Sequence, residues 1–171
     1  VTGLRVALGG APEKYRAVPD LCCLGKALGN GFNVSALIGK TQYMNLLTAG
    51  VHHSSTFNGS GLACSVVGAT LRWMLQEDPI PILYQRGSLL KNRMNAVFAD
   101  SPLLMVGNPT RPSITSSDSD FLKTWLYEMT NCGVYCLAAP WYVTMAHTEE
   151  IIEETVIAAA ESVRGIMRWG S

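Results

Sequence analysis

The chain has 171 residues, 48% of them hydrophobic and 15% charged, with 13 basic residues against 13 acidic ones. That is long enough for one domain, or for a small domain plus part of another, and too apolar for a disordered or collagen-like chain. A formal net charge of zero leaves no basic excess for nucleic-acid phosphates, so no nucleic-acid partner is expected.

In chain order, the first residues lack a basic segment followed by an apolar core, so they do not read as a signal peptide. Without an initial Met, the start reads as a chain cut from something longer. Residues 21–24 and 34–38 are compact apolar runs, the pattern of short buried strands in an α/β sheet. A glycine-rich connection, Gly25-Lys26-Ala27-Leu28-Gly29-Asn30-Gly31, lies between them. Residues 41–48 suit a short helix ended near Gly50. No charge occurs over residues 62–71, which with Arg72-Trp73-Met74-Leu75 predict a long, largely buried helix. Asp78-Pro79-Ile80-Pro81 breaks that pattern and is the expected domain boundary, dividing the chain into 1–78 and 79–171.

The next helix is expected over residues 82–98, with Leu83, Leu90, Met94 and Val97 as its apolar stripe. Residues 103–106 and 113–115 are predicted strands. Ser117-Asp118 opens a helix whose stripe is Phe121, Leu122, Trp125, Leu126 and Met129, with Gly133 at the position that ends it. Residues 134–137 read as another short strand. Thr148 is the expected cap of a last helix, with Glu149 and Glu150 favouring its N-terminal dipole and Ile152, Val156, Ala159, Val163 and Ile166 on its apolar side. No stretch of 18 uncharged apolar residues occurs, so no membrane span is expected.

Five cysteines include no Cys-x-x-Cys pair, which argues against zinc and thioredoxin-type sites and for small buried thiols in a reducing, cytoplasmic setting. Gly39-Lys40-Thr41 and Gly25-Lys26-Ala27 each fail the phosphate-loop pattern, because positions 34 and 20 are Val and Asp. Gly29-Asn30-Gly31 lacks the third glycine of a dinucleotide fingerprint. No Gly-x-Ser-x-Gly elbow is present. His52 and His53 read as solvated loop residues, and His147 as a local helix-entry contact.

Lys26 stands out because it lies between an apolar strand and a flexible turn. Partial desolvation there would lower its pKa and free the amine as a nucleophile, against the plainer reading of a surface lysine at a strand end. Thr56-Phe57-Asn58-Gly59-Ser60 precedes a helix, so its hydroxyl and N–H groups suit an anion as well as an ordinary helix start.

Taken together, Pro19-Asp20-Leu21, Leu24-Gly25-Lys26-Ala27-Leu28-Gly29 and Gly31-Phe32 resemble the cofactor-lysine segment of class III pyridoxal-phosphate aminotransferases. Thr56-Phe57-Asn58-Gly59 with Leu62-Ala63 resembles that family's phosphate-contact segment. Val1-Thr2-Gly3-Leu4-Arg5 and Ala146-His147-Thr148-Glu149-Glu150 resemble the stretch after its Asp-Glu pair and the start of its last helix. The nearest branch is glutamate-1-semialdehyde 2,1-aminomutase and relatives. The resemblance implies an α/β chain, the C-terminal part of a fold type I PLP-dependent transferase: residues 1–78 end the cofactor-binding large domain, and 79–171 form a small α+β domain.

It further implies pyridoxal 5'-phosphate as cofactor, held as a Schiff base on Lys26, which then moves the proton at the substrate α-carbon. Thr56 would contact the cofactor phosphate of the neighbouring subunit, giving a homodimer that acts on a small-molecule amino donor and acceptor. Asn30 and Asn33 stand where the family usually has Gly and Pro, and Ser60-Gly61 where it has Asn-Pro. The aspartate for the pyridine nitrogen would lie upstream of Val1. The alternative is a truncated or degenerate non-catalytic relative, serving at most as a dimerisation or interaction module. Arg111 reads as structural rather than as a substrate clamp.

Overall fold

The computed structural model describes residues 3–54, 56 and 58–169, the side chain of Trp169 excepted. Val1–Ile80 and Pro81–Ser171 form two compact units.

In the first unit, two short helices, α1 (Gly3–Val6) and α2 (Gly10–Tyr15), lead into β1 (Leu21–Gly25). A 3₁₀ turn (Lys26–Leu28) connects to β2 (Ser35–Gly39), which pairs antiparallel with β1 from Leu21↔Gly39 to Gly25↔Ser35. Asp20 and Lys40 close the open end of this ribbon: Lys40 N–H donates to Asp20 O at 2.9 Å and Lys40 Nζ to Asp20 Oδ1 at 2.5 Å. Helix α3 (Thr41–Met44) runs into a 3₁₀ turn (Asn45–Leu47), and Gly50 follows with a φ of 107°. Helix α4 (Gly61–Glu77) ends where Asp78 turns left-handed at φ 39°, its N–H bonded to Met74 O.

Two expectations for this unit are corrected. The two apolar runs do form strands, but as an antiparallel ribbon whose Leu21, Leu37 and Ile38 are exposed. Helix α4 is as long as expected but not largely buried: Leu62, Leu71, Trp73 and Leu75 are exposed and only Met74 is buried. Apolar pattern creates a demand for cover, and a two-stranded ribbon beside one helix supplies too few layers to meet it.

In the second unit, α5 (Ile80–Val97) starts two residues earlier than expected; Pro81 falls in its first turn, where proline's missing N–H costs nothing. Leu83, Gly87, Leu90 and Met94 are buried along it. A Cβ on Gly87 would lie 2.0 Å from the Pro109 carbonyl oxygen, so this residue lets the helix meet the hairpin tip backbone. The hairpin itself is β3 (Leu103–Asn108) and β4 (Arg111–Ser116), antiparallel from Leu103↔Ser116 to Asn108↔Arg111. Asn108 Oδ1 shapes the Pro109-Thr110 turn by accepting from Thr110 N–H at 2.9 Å and its hydroxyl at 3.0 Å. Asn95 ties α5 to β3, accepting from Met105 N–H at 2.7 Å and donating to Met105 O at 3.0 Å.

Helix α6 (Ser119–Asn131) is capped by Asp118, whose carboxylate accepts from the N–H groups of Asp120 and Phe121. It ends in a Schellman motif: Gly133, at φ 85°, donates to Thr130 O and Val134 to Met129 O. The strand expected at 134–137 does not form. Extended pairing begins only afterwards, where Ala138 O accepts from Ile114 N–H, Trp141 N–H donates to Pro112 O and Val143 N–H to Thr110 O. The C-cap geometry spends residues 133–134 on turning the chain, and Pro140 has no N–H to give to a ladder. Helix α7 (Glu149–Trp169) closes the unit, packing on α6. Phe98, Met94, Trp125, Met129 and Ala159 form a closed core, with Trp125 edge-on to Phe98 at 5.4 Å and stacked on Trp141 at 6.5 Å.

Candidate functional site

The turn that follows β1 carries Lys26. Its backbone is left-handed at φ 54°, a conformation that costs a side-chain-bearing residue about 1–2 kcal/mol. The turn holds it there through three bonds: Gly29 N–H to Lys26 O at 2.9 Å, Asn30 N–H to Ala27 O at 3.3 Å and Phe32 N–H to Gly29 O at 2.9 Å. Leu28 and Gly29 are buried beneath it. Gly29 is sterically required, since a Cβ there would lie 2.4 Å from Phe32 O and 2.5 Å from Val34 Cγ1. Asn30 sits at φ 45°, and asparagine is among the non-glycine residues that best tolerate this region. The Asn in place of the expected glycine is thus compatible with the same turn.

The Lys26 side chain is exposed, and among the described residues its amine makes no hydrogen bond or ion pair. Lys26 thus agrees with the plainer reading of a surface lysine at a strand end, and the described residues do not supply the desolvation weighed against it. Lys40, by contrast, is occupied by Asp20.

Thr56 lies exposed in a turn ahead of α4, and its neighbours Phe57 and Ser55 lie outside the described residues, as do Val1 and Thr2 of the opening segment. In the same loop Asn58 Nδ2 is 3.1 Å from His53 Nδ1, and Gly59 takes a φ of 71°. Helix α4 packs against the 3₁₀ turn that carries Lys26, which places the two motifs in one unit, although no direct Lys26–Thr56 bond links them. Ser60 makes no side-chain cap on α4.

The remaining sequence candidates are local. His52 and His53 are exposed. His147 Nδ1 accepts from Thr144 N–H at 2.9 Å just before α7, and Thr148 Oγ1 caps that helix at Ile151 N–H, 3.4 Å away. The Thr148 hydroxyl, a backbone N–H and the nearby Arg86 hold the Glu150 carboxyl below the usual range. Arg111 lies over the Tyr142 ring at 5.9 Å, an internal packing role. Among the described residues no cluster of His, Cys, Asp and Glu could hold a metal ion, and no helix is long and apolar enough to cross a membrane. The expectation of buried thiols holds only in part. Cys23 and Cys64 are exposed, whereas burial pushes the Cys136 thiol up to about 11.

The sequence reading missed a cavity of about 330 Å³ in the second unit, lined by Leu90, Cys136, Trp141, Tyr142, His147 and Ile152 among others. Adjacent Trp141 and Tyr142 were its only visible signal, because the segment that forms it has no periodic pattern.

The chain matches the model of the family described as Aminotransferase class-III over residues 6–107. It is similar to the glutamate-1-semialdehyde 2,1-aminomutases of Roseiflexus castenholzii, at 29% identity, and Methanothermobacter thermautotrophicus, at 31%. Each match covers 97% of this chain and 43% or 44% of the relative. The FumI protein of Sphingopyxis sp. MTA144, solved in its PLP internal aldimine form, matches 97% of this chain and 41% of its own with a TM-score of 0.88 and 25% identity. The chain thus spans less than half the length of these relatives. The expected architecture, an α/β chain corresponding to part of a fold type I transferase, agrees with these likenesses.

Proposed function

The chain belongs to the class III aminotransferase family, and on that premise we propose that it supplies the cofactor lysine of an enzyme that moves amino groups with pyridoxal 5'-phosphate. The observation that carries this is Lys26. Its amine is exposed, bonded to no described residue, and fixed at a strand end by a turn that holds a left-handed lysine. Such an amine fits a group that must be joined through a carbonyl carbon. When bound, the cofactor supplies an electron sink for charge developing at the substrate α-carbon.

In this reading Lys26 would hold the cofactor through its amine until the amine of a substrate replaces it at the same carbon; the released Lys26 amine would then take the proton from the substrate α-carbon and hand a proton back later in the transfer. The Thr56 hydroxyl donates a hydrogen bond to the cofactor phosphate in the neighbouring subunit of a cytoplasmic homodimer. Residues 1–78 end the cofactor domain, and residues 79–171 form the small domain. The substrates are a small-molecule amino donor and acceptor. The aminomutase branch is favoured because the curated relatives bear that name.

The test is borohydride trapping. The protein is incubated with pyridoxal phosphate, reduced, digested and mapped by mass. A phosphopyridoxyl group is expected on Lys26, and the Lys26→Ala variant should lose it. Equal labelling of Lys14, Lys26, Lys40, Lys91 and Lys123, or label undiminished in that variant, overturns the assignment.

A further inference from the structure

The segment between α6 and α7 borders the cavity of about 330 Å³, which lies wholly within the second unit. Leu90 of α5 and Ile152 of α7, both buried, give it aliphatic surface. Trp141 and Tyr142 give it aromatic surface, and both rings are held by neighbours. The Trp141 indole donates from Nε1 to Leu137 O at 2.5 Å and stacks on Trp125, which is fully buried. The Arg111 guanidinium lies over the Tyr142 ring at 5.9 Å. The aromatic walls are thus in place before a ligand arrives, which lowers the ordering cost of binding. An apolar cavity of about 150 Å³ is enough to take benzene, so this one has room for two fused rings.

The polar groups of the lining restrict what can enter. Among the described residues no Asp, Glu, Lys or Arg lines the cavity. A charged molecule would give up its water there without a carboxylate, ammonium or guanidinium to replace it. Burial pushes the Cys136 thiol up to about 11, so its sulfur stays neutral and offers the polarizable contact that suits an aromatic ring edge. Thr155 Oγ1 gives its single proton to Ile151 O at 2.7 Å. What that hydroxyl can offer a ligand is therefore an acceptor lone pair. The Trp141 N–H is already spent on Leu137 O, and Tyr135 is 80% exposed.

We propose that this cavity binds a neutral, planar bicyclic aromatic molecule that carries one N–H or O–H donor, with its rings against Trp141 and Tyr142 and its donor on Thr155 Oγ1. Ring stacking and the excluded water supply the affinity, and the Thr155 oxygen supplies the preference for a donor-bearing ring. The site does not depend on the cofactor role of Lys26, which lies in the first unit.

The test is a titration of the full chain with indole, followed by backbone amide NMR, with 1-methylindole and indole-3-acetate as comparison probes. Indole should give saturable shifts at Cys136, Trp141, Val143 and Thr155, with a Kd below about 1 mM. The carboxylate of indole-3-acetate should weaken binding at least about tenfold. The near-isosteric Thr155→Val variant keeps the shape of the cavity and removes the acceptor. It should weaken indole by about three- to tenfold and leave 1-methylindole, which has no N–H, unchanged. Absence of saturable shifts up to about 10 mM indole, shifts centred away from these residues, or equal binding of indole-3-acetate overturns the proposal. So does an equal response of indole and 1-methylindole to Thr155→Val. Should that variant fail to fold, the wild-type comparison decides: 1-methylindole must bind about three- to tenfold more weakly than indole at the same residues, and equal or tighter binding overturns the site.

Discussion

The two antiparallel strand pairs of this chain differ in what they cover. In β3 and β4 buried and exposed positions alternate, with Leu103, Met105 and Ile114 buried and Leu104 exposed. One face is apolar, and α5, α6 and the 138–143 segment pack about it. In β1 the run Leu21-Cys22-Cys23-Leu24 is apolar without alternation, and neither it nor β2 contains a buried residue. A continuous apolar run puts hydrophobic side chains on both faces, and such a strand needs two layers of cover, as in the interior of a large sheet. The described part of the first unit provides no such cover.

The sharpest way to break this contrast is to remove one large side chain from each unit. Trp125→Ala takes a fully buried ring out of the second core and should cost about 3–5 kcal/mol in urea unfolding. Leu75→Ala, at a position 71% exposed on α4, should stay within about 0.5 kcal/mol. A comparable loss at Leu75 would mean that α4 is covered in solution.

Thiol chemistry gives a second measure. With its pKa raised to about 11 from 9.0, Cys136 has about a hundredfold less thiolate at pH 8 than an unshifted thiol. Iodoacetamide labelling followed by mass should find Cys136 alkylated far more slowly than the exposed Cys23, and its rate should keep rising until the pH approaches that value.

The smallest effect compares helix starts. Asp118→Ala removes two hydrogen bonds to the N–H groups of α6 and should cost about 1 kcal/mol. Ser60→Ala at α4 removes no side-chain cap and should change the unfolding midpoint very little.

Much of the second unit was legible because its helices carry explicit signals. The Asp118 cap, the Gly133 terminus, the Trp125–Met129 stripe and the Thr148 entry all stand where the spacing put them. The segment at 134–137 was misread because four apolar residues look the same whether they pair in a ladder or line a cavity. At the candidate site the motif around Lys26 and the plain reading of an exposed lysine at a strand end were legible, but its left-handed backbone was not. That conformation goes with a turn in which Gly29 packs against Phe32 and Val34.

The sequence by itself determined most elements from β1 onward, the Asp118 and Thr148 caps, the family and the lysine on which the proposed chemistry rests, because these follow from local spacing and residue type; α1 and α2 were not legible in it. Only the tertiary structure decided which apolar faces are buried, that the two runs of the first unit pair antiparallel, and that His147 accepts a backbone N–H at the start of α7. Burial and pairing are relations between distant segments, and a periodicity states what each face requires without saying what meets it.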